Sequence, residues 1–201
     1  SRFQPQPPEV VATLRHKLAL PPNYLLYLGI NKPHKNLLRL VEAWGTVAAN
    51  QPNAPTLVVA GAWDARYEEV KTAAAHHALR PHIRFLGPVA EAELPALSSG
   101  ARLFVFPSLV EGFGLPVLEA MACGTAVACA RSSSLPEVGG EAAAYFDPHS
   151  SKQIATVLAD LWPDAERLSA MVQRGFKQVE KFSWQETAVA TLTHYRKLAA
   201  D

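Results

Sequence analysis

Two lysines lie beside the predicted start of a helix, where positive charge is normally unfavourable. Lys32 and Lys35 belong to the stretch 29–36 (GINKPHKN), which follows an apolar run and precedes a segment with helical spacing. Asn36 is the predicted N-cap of that helix, and a helix N-terminus itself carries about half a positive charge. A bound phosphate would remove the conflict, because a lysine and backbone N–H groups could share one anion. The loop therefore indicates a phosphate site or, equally on local grounds, two solvated lysines.

A second loop combines two glycines with a nearby pair of carboxylates. Residues 107–116 (PSLVEGFGLP) contain Glu111, and the following helix carries Glu119 in its predicted first turn, after Pro116 at the first helical position. The glycines would let the backbone approach a ligand closely. One carboxylate could then bind sugar hydroxyls and the other a ribose. Two alternatives stay open: Glu119 only complements the helix dipole, or the two carboxylates hydrolyse a glycoside as acid and nucleophile.

A third polar loop, residues 131–140 (RSSSLPEVGG), follows the fifth apolar run of the chain. Its carboxylate, Glu137, is predicted to accept hydrogen bonds from the loop backbone and so to brace the loop. The alternative is a solvated side chain. The loop is predicted at the same sheet edge as the other two, where its polar groups would face the same ligand.

Metal chemistry is not indicated by the sequence. The seven histidines show no His-Glu-x-x-His spacing. The two cysteines, Cys123 and Cys129, lie among small residues without metal ligands at the usual spacing, and are predicted to be buried, reduced thiols. We therefore expect neither a bound metal nor another cofactor.

Composition excludes several classes of partner. Lys and Arg total 19 against 18 Asp and Glu, so the 201-residue chain has no basic surplus for a nucleic acid. Its apolar runs are far shorter than the roughly 18 residues that span a bilayer. With 49% hydrophobic residues the chain can bury the core of one domain, and a small ligand fits this composition best.

The three loops connect elements that alternate in kind. Short, continuous apolar runs are typical of strands buried on both faces of a sheet, and they occupy 24–28, 56–60, 82–86, 103–106 and 125–129, with a sixth at 143–146. Helical spacing marks 9–20, 36–50, 65–79, 91–99, 115–122, 151–159, 164–181 and 184–199. Repeated βαβ units predict an α/β domain with a Rossmann-like parallel sheet flanked by helices. Ligands should bind at the carboxyl ends of its strands.

Taken together, these motifs resemble the signature of retaining glycosyltransferase family 4. The resemblance is carried mainly by 106–127 (FPSLVEGFGLPVLEAMACGTAV) and continues through 135–139 (LPEVG) and 144–148 (AYFDP). It extends to Lys35-Asn36 and 85–87 (FLG) upstream and to 182–184 (FSW) downstream, and so covers nearly all of residues 23–201. In that family two Rossmann-like domains form a GT-B fold, in which the second binds the nucleotide sugar and the first mainly the acceptor. The chain resembles the second half, with residues 1–22 as a linker end and short helix and the N-terminal acceptor domain absent.

The resemblance implies a role for each loop. Lys35 and Glu111 would be the catalytic pair, with Lys35 on the diphosphate and Glu111 on the donor hexose, while Glu119 would bind the ribose hydroxyls. The segment 85–87 would lie near the base. The implied donor-binding residues are Glu119, Phe113, Gly114, Leu115, Gly29, Lys32, Leu86 and Ser108.

One position departs from the family pattern. Many members carry an Arg directly after the glycine that ends the first strand, as a second phosphate contact, whereas this chain has Ile30 there. Either Lys32 compensates, or Lys35 and helix dipoles carry the phosphate charge alone. Similar loops occur in mannosyltransferases, so the resemblance favours GDP-mannose as the donor, with UDP-linked sugars next.

The implied reaction is retaining transfer of a hexose from a nucleoside-diphosphate sugar to an acceptor hydroxyl, without a metal. Glu111 would position the sugar and stabilise positive charge, and the isolated domain is expected to be inactive. Two other functions stay open: a nucleotide-sugar binding module without turnover, and the two-carboxylate glycosidase.

The resemblance also implies a setting. A bacterial cytoplasmic enzyme is expected, peripheral at the inner membrane only through the missing domain, which would also bind a glycan or lipid-linked acceptor. The last helix, 184–199, crosses toward the first domain in relatives, so we expect an exposed apolar face and concentration-dependent self-association.

Overall fold

A computed structural model describes residues 2–50, 55–76 and 82–199, without the side chains of Asn50 and His76. The strands are β1 (Tyr24–Leu28), β2 (Thr56–Ala60), β3 (Ile83–Gly87), β4 (Leu103–Phe106), β5 (Ala126–Ala130) and β6 (Ala143–Phe146). The α-helices of the described ranges are α1 (Pro8–Lys17), α2 (Leu37–Asn50), α3 (Glu69–His76), α4 (Leu94–Ser99), α5 (Leu115–Ala122), α6 (Leu135–Gly139), α7 (Ser151–Leu161), α8 (Ala165–Val179) and α9 (Trp184–Leu198). Short 3₁₀ turns occur at Pro33–Lys35, Glu91–Glu93 and Gly140–Ala142.

The six strands form one parallel sheet in the order β3-β2-β1-β4-β5-β6. The chain therefore winds outward in one direction from β1 to β3 and then crosses back to place β4 on the other side of β1. This doubly wound arrangement confirms the predicted α/β, Rossmann-like class. Its switch point lies between β1 and β4, where the loops after both strands leave the carboxyl edge of the sheet.

Packing on both faces explains why the strands are continuous apolar runs. The segments of β4 and β5 are buried throughout, and Trp44 and Phe146 are among the largest fully buried side chains around them. On one side α1, α4, α5 and α8 pack in succession, while α2 packs against α3 and α7. The predicted strands are confirmed, with β3 and β5 each one residue later than predicted.

Several helix ends differ from their predicted positions. The first helix ends at Lys17 rather than Leu20, because Ala19 takes a left-handed conformation (φ 47°) ahead of the two prolines. Helix α3 begins at Glu69 rather than residue 65, and its predicted end at 79 lies outside the described residues. The segment before it is held by Asn31, whose amide donates to the carbonyls of Asp64 (2.9 Å) and Tyr67 (2.7 Å).

Residues 2–7 form no helix or strand, as predicted, but they pack against the domain. Phe3 is buried, and the backbone N–H of Gln6 donates to Ser99 Oγ at 3.1 Å. At the other end, α9 has no buried residue. Among the described helices, none is long and apolar enough to cross a membrane.

Candidate active site

The loops after β1, β4 and β5 are joined at the carboxyl edge of the sheet. The backbone N–H of Leu109 donates to the carbonyl of His34 at 2.8 Å, which links the second loop to the first. Ser132 Oγ donates to the carbonyl of Ser108 at 2.8 Å and links the third loop to the second. The three segments predicted from their chemistry therefore form one surface.

Lys35 and Glu111 form an ion pair at the centre of this surface. Lys35 Nζ lies 2.7 Å from Glu111 Oε1, and the two side chains are only 18% and 13% exposed. The ammonium also lies 5.3 Å from the centroid of the Phe106 ring, a distance at which a cation is attracted to an aromatic face. The two residues predicted to act on diphosphate and hexose thus contact each other.

The backbone around Glu111 is held by serines of the third loop. The N–H of Glu111 donates to Ser133 Oγ at 2.9 Å, and Ser134 Oγ lies 3.1 Å and 2.6 Å from the carbonyl oxygens of Glu111 and Phe113. The predicted bracing of the third loop by Glu137 is not seen, since its side chain is exposed and, within the described residues, accepts no hydrogen bond from the backbone of 131–140.

The start of α5 is open toward this surface. Gly114 precedes the helix with φ 118°, and a Cβ there would lie 2.8 Å from Leu135 Cδ2, so the position requires glycine. No described side chain caps the helix, and Pro116 lies within its first two residues. Pro116 has no N–H, and the N–H of Val117 donates to the carbonyl of Gly114 at 2.9 Å. An anion at this end of α5 would therefore meet the N–H of Leu115 and the positive end of the helix dipole.

Glu119 lies one turn further along α5 than predicted. It is the fifth residue of the helix rather than part of the first turn, so the dipole alone does not account for it. The side chain is half-buried, and burial raises the pKa of its carboxyl, while Arg2 lowers that pKa and Glu91 raises it to a smaller extent. Glu119 and Glu111 consequently belong to different ends of the site.

The other predicted donor-binding residues surround this centre. The N–H of Gly29 donates to the carbonyl of Ala60 at 2.9 Å and extends the sheet to the loop. Lys32 is exposed, as are the side chains of Phe113 and Leu115, whereas Leu86 is partly buried against the core. Ser108 is fully buried, and its hydroxyl has no hydrogen-bond partner among the described residues.

Asn36 is not a side-chain N-cap. It has a left-handed conformation (φ 59°), and its amide nitrogen donates to the carbonyls of Pro107 (3.0 Å) and Pro148 (2.8 Å). It thus ties the first loop to the end of β4. Sequence reasoning missed this role, because an asparagine before a helix has the same appearance whether it caps the helix or joins two loops.

Two further features of the site, the serine run and Phe182, were underestimated from the sequence. The only sequence signal for the serine contacts was the presence of three consecutive serines at 132–134. The Phe182 ring meets Phe113 edge to face, with centroids 5.8 Å apart, and only the downstream motif 182–184 indicated its importance.

Both cysteines are buried, as predicted. Burial raises the pKa of Cys123 to about 11 and that of Cys129 to about 12, so both thiols stay protonated at neutral pH. In the ranges 2–50, 55–76 and 82–199, no group of three His, Cys, Asp or Glu side chains is arranged to hold a metal ion.

The family model for glycosyl transferases group 1 matches residues 12–178. The chain belongs to this family. O-antigen chain mannosyltransferase B of Escherichia coli is 37% identical to it over 179 residues, which are 87% of the chain and 46% of that protein. D-inositol 3-phosphate glycosyltransferase of Rhodococcus jostii is 30% identical over 194 residues, which are 92% of the chain and 43% of that protein. The chain thus spans less than half of these two relatives.

Solved structures of the family show the same fold. The C-terminal domain of the group 1 glycosyl transferase LpcC from Francisella tularensis has a TM-score of 0.76 and 27% identity, with 89% of this chain and 94% of that domain covered. Sucrose-phosphate synthase from Thermosynechococcus elongatus has a TM-score of 0.84 and 25% identity, with 99% of this chain and 50% of that protein covered. This group 1 chain therefore has the architecture of half a GT-B glycosyltransferase.

Proposed function

We propose that this chain holds the nucleoside-diphosphate sugar in a retaining transfer of a hexose to an acceptor hydroxyl. The observation that carries the proposal is the Lys35–Glu111 pair at 2.7 Å, beside the uncapped start of α5. A lysine and the positive end of a helix, here with the N–H of Leu115 at its start, are groups that bind a diphosphate. A carboxylate in the same place can accept hydrogen bonds from sugar hydroxyls.

The donor would lie along the carboxyl edge of the sheet. Its diphosphate would replace Glu111 as the partner of Lys35, and the released carboxylate would turn to the hexose. Glu119 would accept hydrogen bonds from the ribose hydroxyls. Gly29, Gly114 and the backbone of Phe113 and Leu115 would permit close approach, with Lys32 and Ser108 at the phosphate end and Leu86 toward the base.

The chemistry would follow from charge placement. The bond between the anomeric carbon and the diphosphate oxygen breaks, and the acceptor oxygen bonds to that carbon from the same face. The acceptor proton passes to the leaving phosphate oxygen. Lys35 and the positive end of α5 stabilise the developing negative charge on the leaving group, and Glu111 stabilises the positive charge on the ring, so that no metal is required.

The choice of donor rests on the relatives. Among them are the O-antigen chain mannosyltransferase B and an MMP alpha-(1->4)-mannosyltransferase from Mycolicibacterium hassiacum, which is 38% identical over 116 residues. GDP-mannose is therefore the donor that we propose. Three further parts of the proposal rest on the family resemblance. The acceptor is a glycan or a lipid-linked glycan, it is bound by a preceding domain that turnover requires, and the location is cytoplasmic.

A two-carboxylate glycosidase has less support. A glycosidase acid must hold a proton, but Glu111 already accepts a charge-assisted hydrogen bond from Lys35. Glu119 interacts electrostatically with Arg2 and Glu91, and no contact between Glu119 and Glu111 is found among the described residues. The binding module without turnover remains the second candidate for the chain by itself, since it requires the same donor site.

Thermal unfolding with GDP, UDP and ADP tests the donor site. A ligand at one hundred times its dissociation constant adds about 2.7 kcal/mol of stability, which corresponds to a rise of about 5–10 °C in Tm for a chain of this size. We expect the rise with GDP in the unaltered chain and its loss in Lys35→Ala and Glu119→Ala. Equal rises in the chain and both variants would contradict the proposed site.

A further inference from the structure

Strand β1 buries two tyrosines, one toward each of its ends. Both side chains are fully buried, and each hydroxyl donates to a backbone carbonyl. Tyr24 Oη lies 2.6 Å from the carbonyl oxygen of Leu97 in α4. Tyr27 Oη lies 3.1 Å from the carbonyl oxygen of Ile30, in the loop that leads to Lys35. The first bond joins the strand to a helix, whereas the second joins it to the candidate site, and none of the roles described above uses it.

The loop after β1 passes close to the Tyr27 hydroxyl. A Cβ at Gly29 would lie 3.1 Å from Tyr27 Oη, so any larger residue there would crowd the hydroxyl. A Cβ at Gly61 would lie only 2.3 Å from the carbonyl oxygen of Gly29, and the N–H of Gly29 donates to the carbonyl of Ala60. The backbone of Gly29 is thus in close contact both with Tyr27 and with the end of β2.

Later parts of the same loop are held by other bonds. The side chain of Asn31 contacts the segment before α3, and the N–H of Lys35 donates to the carbonyl of Lys32 at 2.9 Å. Tyr27 acts just before these bonds, at the carbonyl of Ile30, where the chain leaves the sheet. Because the chain is continuous, a displacement at that point would also move the residues that lead to Lys35.

We propose that Tyr27 is a positioning residue, whose hydroxyl holds the loop after β1 in the conformation that places Lys35 against the donor diphosphate. The inference rests on the proposed function. Burial raises the pKa of the Tyr27 hydroxyl, and the Glu111 carboxylate raises it further, so the group keeps its proton at neutral pH and can donate to the carbonyl of Ile30. Ile30 itself brings no charge to a phosphate, so binding depends on where the loop places its lysines.

Tyr27→Phe tests the role, because it removes the hydroxyl and keeps the ring in the core. Titration of GDP against GMP, and of UDP against UMP, gives the contribution of the second phosphate as a ratio of affinities that does not depend on the base. Tyr24→Phe is the matched control, since it removes an equally buried hydroxyl from the same strand. Both variants should lower Tm by about 2–4 °C, as the loss of one hydrogen bond predicts.

We expect Tyr27→Phe to lower the ratio of diphosphate to monophosphate affinity by about threefold to tenfold, because a displaced Lys35 no longer meets the second phosphate. Tyr24→Phe should leave the ratio unchanged. Gly29→Ala should also lower the ratio, since its Cβ crowds the Tyr27 hydroxyl. It should have little further effect in a chain that already carries Tyr27→Phe, where the crowded group is absent.

The possible outcomes separate the role of Tyr27 from the donor site. Equal ratios in the two tyrosine variants, or additive losses from Gly29→Ala and Tyr27→Phe, would overturn the positioning role and leave the donor site intact. Equal affinity of the unaltered chain for diphosphates and monophosphates would overturn the role as well. Absence of binding by every nucleotide would overturn the donor site itself, and the role of Tyr27 with it.

Discussion

At the scale of single residues, the main feature is that two ligand-binding groups satisfy each other. Lys35 and Glu111 are both mostly buried and paired at 2.7 Å, so neither charge is left without a partner in the free chain. A diphosphate must therefore compete with Glu111 for the ammonium of Lys35. We expect Glu111 and the diphosphate to bind the same ammonium group in turn.

This competition predicts an unusual effect of Glu111→Gln. Removing the competing charge should strengthen GDP binding by about twofold to fivefold, as an ion pair worth up to about 1 kcal/mol predicts. GDP-mannose should gain less, since its hexose loses a carboxylate partner. Calorimetric titration of both ligands measures the difference.

Glu119→Gln is the matched control, because it should weaken the binding of both ligands. If Glu111→Gln weakened GDP binding to the same extent as Glu119→Gln, the two carboxylates would have the same role. The proposed replacement of Glu111 by the diphosphate at Lys35 would then be wrong.

The sequence predicted which residues carry charge at the site better than it predicted their partners. Lys35 and Glu111 were identified from the loops they occupy, but their mutual contact depends on side-chain directions in three dimensions. Glu137 was misjudged for the same reason. A carboxylate in a polar loop could brace it, yet the short hydroxyl side chains of 132–134 are nearer to the backbone of Glu111.

At the scale of elements, the loop 107–114 contacts the junction of α8 and α9. Phe113 in the loop packs against Phe182, which precedes Ser183, the residue whose hydroxyl caps α9. Such an edge-to-face pair contributes about 0.5–1.5 kcal/mol beyond burial. The contact thus helps to fix the loop backbone that would meet the sugar.

Phe182→Ala should therefore weaken GDP-mannose binding by about threefold to tenfold, a loss corresponding to that pair energy. Phe182→Leu should restore part of the loss, and Phe182→Ala should have little further effect in a chain that already carries Phe113→Ala. Titration of GDP-mannose at a temperature well below unfolding measures each variant.

Trp184→Ala serves as the control two residues away, since Trp184 is exposed and its ring is not in contact with Phe113 in the described structure. Additive losses in the double variant would mean that Phe182 acts only through overall stability.

The elements that the sequence predicted most accurately are those with one dominant constraint. Strands buried on both faces must be apolar, so β1, β2 and β4 were predicted to the residue. The edge strand β6, which is only partly buried, was also predicted to the residue because it is a short apolar run. Helix starts depend on local hydrogen bonds instead. Residues 65–68 have helical spacing, but the side chain of Asn31 holds the neighbouring backbone in a turn, and this contact between distant residues has no sequence signature.

At the scale of the whole molecule, α9 presents an apolar stripe to solvent. Trp184, Leu192, Tyr195 and Leu198 share one side of the helix at helical spacing, and the two end residues are 77% and 75% exposed. A contiguous exposed stripe of this kind is a typical contact surface. The predicted exposed face is thus present.

We therefore expect the chain to self-associate through this stripe, so that the α9 stripe of one copy is covered by a second copy of the chain. Sedimentation velocity should show a coefficient that rises with concentration toward that of a dimer. The combined change Trp184→Gln, Leu192→Gln and Leu198→Gln should abolish the rise, whereas Val10→Gln, at an exposed apolar position on α1, should not. A monomer at every concentration would contradict the prediction.

Tertiary arrangement was the least predictable level. Repeated βαβ units predicted a parallel sheet, but the strand order and the packing of residues 2–7 beside α5 depend on long-range contacts. The meeting of Arg2 with Glu91, which are 89 residues apart, could not be inferred from either segment. The family signature could be read because its motif residues are contiguous.

The central claim is that the loops at the switch point of the sheet hold the donor nucleotide, and a crystal structure of the chain grown with GDP tests it most directly. The account predicts a phosphate oxygen within hydrogen-bonding distance of Lys35 Nζ, ribose hydroxyls on Glu119, and Glu111 further from Lys35 than the present 2.7 Å. GDP bound elsewhere, with the Lys35–Glu111 pair intact, would contradict it.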